Sequence, residues 1–178
     1  MISVRYVAAV LVLLLGLAGC ARDSSAVPAH TSSTEGETPG AKELMWQEAK
    51  ARTQAMELEI VNSIPEGKVV KVDLKATGTL LNCGGPLVNW NGGTIVTLSA
   101  GTELEPLVRA LEAKYQDSRF TIKTRDPSPA GSYEVQLRSP DTAEIYIIGA
   151  GWDPDTILIT SSSECFTWPE GEYKGGKF

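Results

Sequence analysis

The chain has 178 residues, enough for one domain with a real core and too few for two comfortable ones. Its 16 basic residues stand against 22 acidic ones, a formal charge of −6, and removal of residues 1–19 would take away Arg5 and no acid, leaving −7. That balance argues against nucleic acid as a partner and against electrostatic docking on anionic lipid, since both reward basic surfaces.

The chain opens Met1-Ile2-Ser3-Val4-Arg5, with one positive charge, and continues into an uncharged apolar run over residues 6–17. This is the pattern of an export signal covering residues 1–19. The run falls short of the ~20 apolar residues that a helix needs to cross a bilayer, so a permanent span is the weaker reading. It ends in Leu17-Ala18-Gly19-Cys20, which resembles the lipobox of bacterial lipoproteins. That resemblance implies a diacylglycerol thioether at Cys20, cleavage just before it, and a membrane partner reached through the lipid anchor on the extracytoplasmic face. The alternative is an ordinary cleaved signal with a free Cys20, which would leave an exposed thiol in an oxidising compartment. Two or three acyl chains, at about 0.8 kcal/mol per buried methylene, make a lasting anchor where a single chain would come and go.

Residues 20–40 follow as a lipidated N-terminus and tether: Ser, Thr, Gly, Pro and Glu with almost no large apolar residue, a composition that cannot offset ordering entropy by burial. The only histidine, His30, lies there. Residues 41–178 form the predicted single domain. The stretch 41–64 lacks Gly and Pro and sets Met45, Ala49, Met56, Ile60 and Ile64 on one helical face. Pro65-Glu66-Gly67 stops that helix, and 68–77 alternates Val70, Val72 and Leu74 with Lys71, Asp73 and Lys75, as in a half-buried strand. Asn82-Cys83-Gly84-Gly85-Pro86 reads as a loop and Asn91-Gly92-Gly93 as a turn, with a β-branched strand over 93–99.

A second helix is expected over 102–115, capped by Thr102 with Glu105 three residues on, and buried along Leu104, Leu107, Val108, Leu111 and Tyr115. Four strands follow, over 119–125, 132–139, 142–149 and 156–162, separated by Pro- and Asp-containing turns. Links this short make neighbours antiparallel. The expected fold is therefore α+β: two helices packed on one face of a mostly antiparallel sheet of about five or six strands, with one disulfide. The disulfide expectation comes from cysteine arithmetic. With Cys20 committed to lipid, Cys83 and Cys165 remain in a compartment where thiols oxidise, the alternative being two buried free thiols.

Beyond the lipobox, the order of elements together with Cys83, the 95–115 strand-helix stretch, Gly131-Ser132-Tyr133-Glu134-Val135 and Ser163-Glu164-Cys165-Phe166 resembles the LppA-like lipoproteins of mycobacteria and their relatives. The resemblance implies a surface lipoprotein and brings no catalytic residue with it. The 149–155 segment is a longer insertion than that family carries, and the tail reads Gly175-Gly176-Lys177-Phe178.

No constellation in the sequence points to catalysis. Nucleophilic hydrolysis needs a base beside a Ser or Cys, and the one imidazole sits in the tether. Ser161-Ser162-Ser163 ends a strand without the Gly-flanked turn of a nucleophile elbow. Asp153 with Asp155, and Glu103 with Glu105, have the composition of a turn and of a helix start rather than of an acid/base pair. The glycines at 84, 85, 92 and 93 lack phosphate-loop spacing, and two distant cysteines offer no metal cluster, so no cofactor or metal is expected. Trp90, Trp152 and Trp168 fall in predicted loops and are candidates for a binding surface, the alternative being that they cap the sheet ends and shield the disulfide; Trp46 on the first helix is expected to pack. The reading is a non-catalytic, membrane-anchored binding or structural module for an envelope protein, glycan or lipid. The alternative is a lipid or glycolipid carrier with an internal apolar cavity.

Overall fold

The computed structural model describes residues 45–129 and 131–178. The export signal, Cys20, His30 and the tether lie outside the described residues, as do residues 41–44 of the predicted first helix.

Two helices, α1 (Trp46–Val61) and α2 (Leu104–Tyr115), pack against an eight-stranded sheet of β1 (Val69–Leu74), β2 (Thr79–Gly84), β3 (Leu87–Leu98), β4 (Thr121–Arg125), β5 (Glu134–Arg138), β6 (Ile145–Ala150), β7 (Thr156–Ser162) and β8 (Phe166–Thr167). Six strands run in the order β1-β3-β7-β6-β5-β4, every pair antiparallel, while β2 and β8 flank the far end of the long β3. The expected α+β architecture is present, and these two short flanking strands account for the larger strand number. Among the described residues no helix is long and apolar enough to cross a membrane.

The four-strand meander follows from its short links, and β7 occupies the predicted 156–162 residue for residue. Helix α2 buries Leu107, Val108, Leu111 and Tyr115, with Leu104 half-buried at its start. Its cap differs from expectation: Glu103 holds the N-cap position without a side-chain bond, and the Thr102 hydroxyl donates backwards to the Ser99 carbonyl at 2.7 Å. Helix α1 buries Ala49, Met56 and Ile60, and Ile64 is buried just beyond its end, but Met45 at the N-cap is exposed. Val70 also turns outward, 67% exposed, because a register irregularity between Val69 and Lys71 breaks the alternation at the start of β1.

The largest departure lies between residues 79 and 93. The predicted 82–86 loop is mostly strand β2, and the predicted Asn91-Gly92-Gly93 turn is the middle of β3. The reason is steric. Trp90 lies on β3, not in a loop, and is fully buried. A Cβ on Gly92 would stand 2.6 Å from Trp90 Cζ3 and 2.7 Å from Cζ2, and one on Gly78 would stand 2.5 Å from its Cε2. These glycines leave room for the indole rather than bending the chain.

Two apolar clusters result. The main one lies between the helices and the sheet and includes Met56, Ile60, Leu111, Tyr146, Ile148, Ile157 and Ile159. The second gathers Ala49, Val88, Trp90, Phe166 and Trp168, with Trp46, Leu80 and Phe178 packed against it. Phe178 is held by paired backbone bonds with Gly78, of 2.8 and 3.1 Å, and its ring meets Trp46 and Trp168 edge-on. The Cys83–Cys165 disulfide joins β2 to the residue just before β8, with 6.3 Å between Cα atoms. Both cysteines are exposed, so the tryptophans do not shield the bond.

Candidate functional site

The three tryptophans singled out from sequence do not share a surface. Trp90 is interior, so its assignment to a binding surface is corrected; Trp168 is 7% exposed and belongs to the second cluster. Only Trp152, in the turn between β6 and β7, stands in solvent, at 87% exposure. Indole rings at 90 and 168 are capping and filling the far end of the sheet.

Among the described residues, one whole face of the sheet is left open. Cross-strand partners share a face and alternate along each strand. Thr94, Val96, Ile157, Ile159, Tyr146, Ile148, Val135 and Leu137 form the buried face, with α1 packed on β3 and β7 and α2 on β5 and β6. The residues between them face the other way. Across that second face, Asp73 pairs with Ile95, Ile95 with Leu158, Thr160 with Ile147, Ile147 with Gln136, and Gln136 with Lys123. The next row out runs Asn91, Ser162, Ile145, Arg138. Ile95, Ile145, Ile147 and Leu158 are thus a half-buried aliphatic strip down the middle of a face that neither α1 nor α2 covers.

Two adjoining clefts of about 330 and 320 Å³ lie on this face and share Thr79, Asn91, Gly92 and Thr160 in their walls. Lys75 and Lys177 stand at one end, with Ile147 and Leu158 among the lining residues. Ser162 donates to the Asn91 side-chain oxygen, and the Asn91 amide donates to the Asn89 side chain at 2.7 Å, which fixes the polar wall. Gly93, paired with Thr160, adds no side chain to this face, whereas the missing side chain of Gly92 lies on the opposite face against Trp90. A further cleft of about 470 Å³ lies at the start of α2, between Lys68, Gly101 and Glu103.

Charge is segregated between the two faces. The open face carries Lys71, Lys75, Lys123, Arg125, Arg138 and Lys177 against two carboxylates, Asp73 and Glu134. Lys75 holds Asp73 at 2.7 Å and lowers its pKa, while Arg125 lies 3.7 Å from Glu134. Among the described residues, Lys123, Arg138 and Lys177 make no ion pair. The rest of the described domain holds seven bases and sixteen acids. The whole-chain sum of −6 therefore averages over a basic face and an acidic remainder.

One ionisable group in the core was not foreseen. Glu57 of α1 is fully buried beneath the helix, where Thr94 donates to one carboxylate oxygen at 2.5 Å and Ser161 to the other. Burial pushes its pKa up, and the two hydroxyl bonds only partly oppose that. The nearby Tyr146 hydroxyl is buried and its pKa is raised, chiefly by burial and then by Glu144. Glu57 falls three or four positions from Thr53, Ile60 and Val61, so the helical period carried the signal. Among the described residues no group of His, Cys, Asp and Glu side chains could hold a metal ion.

Comparison with known proteins finds no family model, no curated protein and no solved structure that matches the chain.

Proposed function

We propose that the chain is a lipid-anchored protein of the cell membrane, facing away from the cytoplasm, whose domain is a non-catalytic binding module. The observation that carries the binding role is the uncovered sheet face, an aliphatic strip and polar trough framed by basic side chains. A sheet face with apolar residues is ordinarily covered by another layer, and here a partner supplies it. Anchoring is supported by Leu17-Ala18-Gly19-Cys20 after the uncharged run and by the exposed Cys83–Cys165 bond, which suits an oxidising compartment. The resemblance to LppA-like lipoproteins points to the same location.

The non-catalytic part rests on where the reactive groups lie. Ser161, a serine whose hydroxyl donates to a carboxylate, is buried with Glu57 under α1, its side chain on the face opposite the trough. A lipid carrier would need space that Met56, Ile60, Leu111, Ile148 and Ile159 already fill.

Metabolic labelling with a palmitate analogue in the native envelope tests the anchor. The full chain should take up label and sediment with membranes, and Cys20→Ala should lose both properties. A Cys20→Ala protein that stays labelled and membrane-bound would overturn it. A turnover activity abolished by Ser161→Ala in a folded protein would contradict the non-catalytic part.

A further inference from the structure

We infer that the uncovered sheet face is a docking surface for an acidic amphipathic helix of a partner polypeptide; this rests on the binding role proposed above and names the partner's chemistry. Three observations converge on it. The strip of Ile95, Ile145, Ile147 and Leu158 runs over β3, β7 and β6, the middle strands of the six-strand path. Basic side chains flank the strip on both sides: Lys71 and Lys75 on or beside β1, and Arg138, Lys123 and Arg125 on β5 and β4. The rest of the described domain is acidic, so an acidic partner is repelled from the helical layer and drawn to this face alone.

Shape selects a rod over a plane. Adjacent strands rotate by about 20–25°, so the six-strand path turns by roughly 100° and a flat bilayer cannot meet both basic rims at once. A helix is about 10–12 Å across, and strands lie about 4.8 Å apart. Laid over β7 and β6, a helix would have β1 roughly 12 Å to one side of its axis and β5 and β4 roughly 7–12 Å to the other. Those separations bring lysine and arginine side chains within reach of glutamates on a helix's flanks. The apolar strip then supplies affinity and the rims supply orientation and choice of partner.

The probe is a synthetic helical peptide with leucines at i, i+3, i+4 and i+7 and glutamates on both flanks, titrated against the full chain by fluorescence anisotropy. Its twin carries lysines at the glutamate positions. The glutamate peptide should bind at least tenfold more tightly than the lysine twin and weaken severalfold between about 0.05 and 0.3 M salt. Ile147→Asp, or Lys123→Glu with Arg138→Glu, should each weaken it at least tenfold while the thermal midpoint stays near that of the unaltered chain. Equal binding of both peptides, no binding of either, or indifference to the charge reversals would overturn the inference. A photoreactive residue at position 147 separates the two levels. An adduct with a glycan or lipid would keep the binding face and discard the helix, and no adduct would discard the face itself.

Discussion

Replacing Gly92 by alanine tests whether β3 is shaped by its tryptophan. The new methyl would stand 2.6 and 2.7 Å from two Trp90 ring carbons and closer still to Cη2, against ordinary contact near 3.5–4.0 Å. The indole must therefore move by about 1 Å. It cannot do so freely: it is fully buried, Gly78 backs it on another side, and its Nε1 donates to the Phe178 carbonyl at 3.3 Å. Overpacking of this kind costs about 1–3 kcal/mol. At a midpoint shift of roughly 4 °C per kcal/mol, Gly92→Ala should melt roughly 4–12 °C lower. Trp90→Leu alone should cost about 3 kcal/mol through the space it leaves. In that background Gly92→Ala meets no ring and should be neutral, or stabilising by about 0.5 kcal/mol through lost freedom of the unfolded chain. Urea unfolding followed by circular dichroism on all four proteins gives the coupling, expected at about 2 kcal/mol. A Gly92→Ala penalty that is the same with and without the indole would refute the steric account and restore the residue to an ordinary strand glycine.

Glu57→Gln should change the pH dependence of stability. Because the folded-state pKa of Glu57 lies above its unfolded value of 4.5, the carboxyl favours the fold most below pH 4.5. That contribution is lost as pH rises through the folded pKa and stays lost above it, so stability should decline over this window and the glutamine variant should remove the decline; an unchanged slope in chemical denaturation across pH would count against it. Glu112 acts in the opposite sense, since bonds from Thr124 and Tyr133 lower its pKa, and Glu112→Gln should flatten the loss of stability seen as pH falls below 4.5. Cys83→Ser with Cys165→Ser opens a link between residues 82 apart and should cost about 4.5 kcal/mol by the chain-entropy estimate; a loss under about 1 kcal/mol would show that the crosslink constrains little. Phe178→Ala removes the ring wedged between Trp46 and Trp168, and should free the Gly78 amide to exchange and shift tryptophan emission to the red, with the main core unaffected.

Much of the fold was legible because it rests on local rules. The stripe of Leu107, Val108, Leu111 and Tyr115 can only be a helix face, β7 is marked off by the Asp153-Pro154-Asp155 turn, and short links force the meander. The pairing of Cys83 with Cys165 followed from arithmetic on three cysteines. The 79–93 region was misread because Asn-Gly-Gly carries the same signature whether glycine is chosen for its backbone freedom or for its missing side chain. Only the indole of Trp90, brought over Gly78 and Gly92 by tertiary packing, distinguishes the two. Glu57 was overlooked because a glutamate in an Ala-Glu-Lys-rich helix reads as solvated, although its spacing from Ile60 and Val61 places it inside. The open face left a clearer trace. Ile145, Tyr146, Ile147 and Ile148 form an unbroken apolar run, which signals a strand with apolar residues on both faces, whereas a half-exposed strand alternates. Strand registers were needed to see that the basic residues of β1, β4 and β5 share that second face, since they are scattered over some seventy positions of the chain.

The central claim is that the domain works through its uncovered sheet face, and site-directed photo-cross-linking in native envelopes tests it most directly. A photoreactive residue is placed at Ile147 on that face in one protein and at the exposed Leu58 of α1 in another. The account predicts a discrete adduct from position 147, reduced by the Lys123→Glu and Arg138→Glu reversals, and none from position 58. Adducts from position 58 alone, or the same products from both, would contradict it.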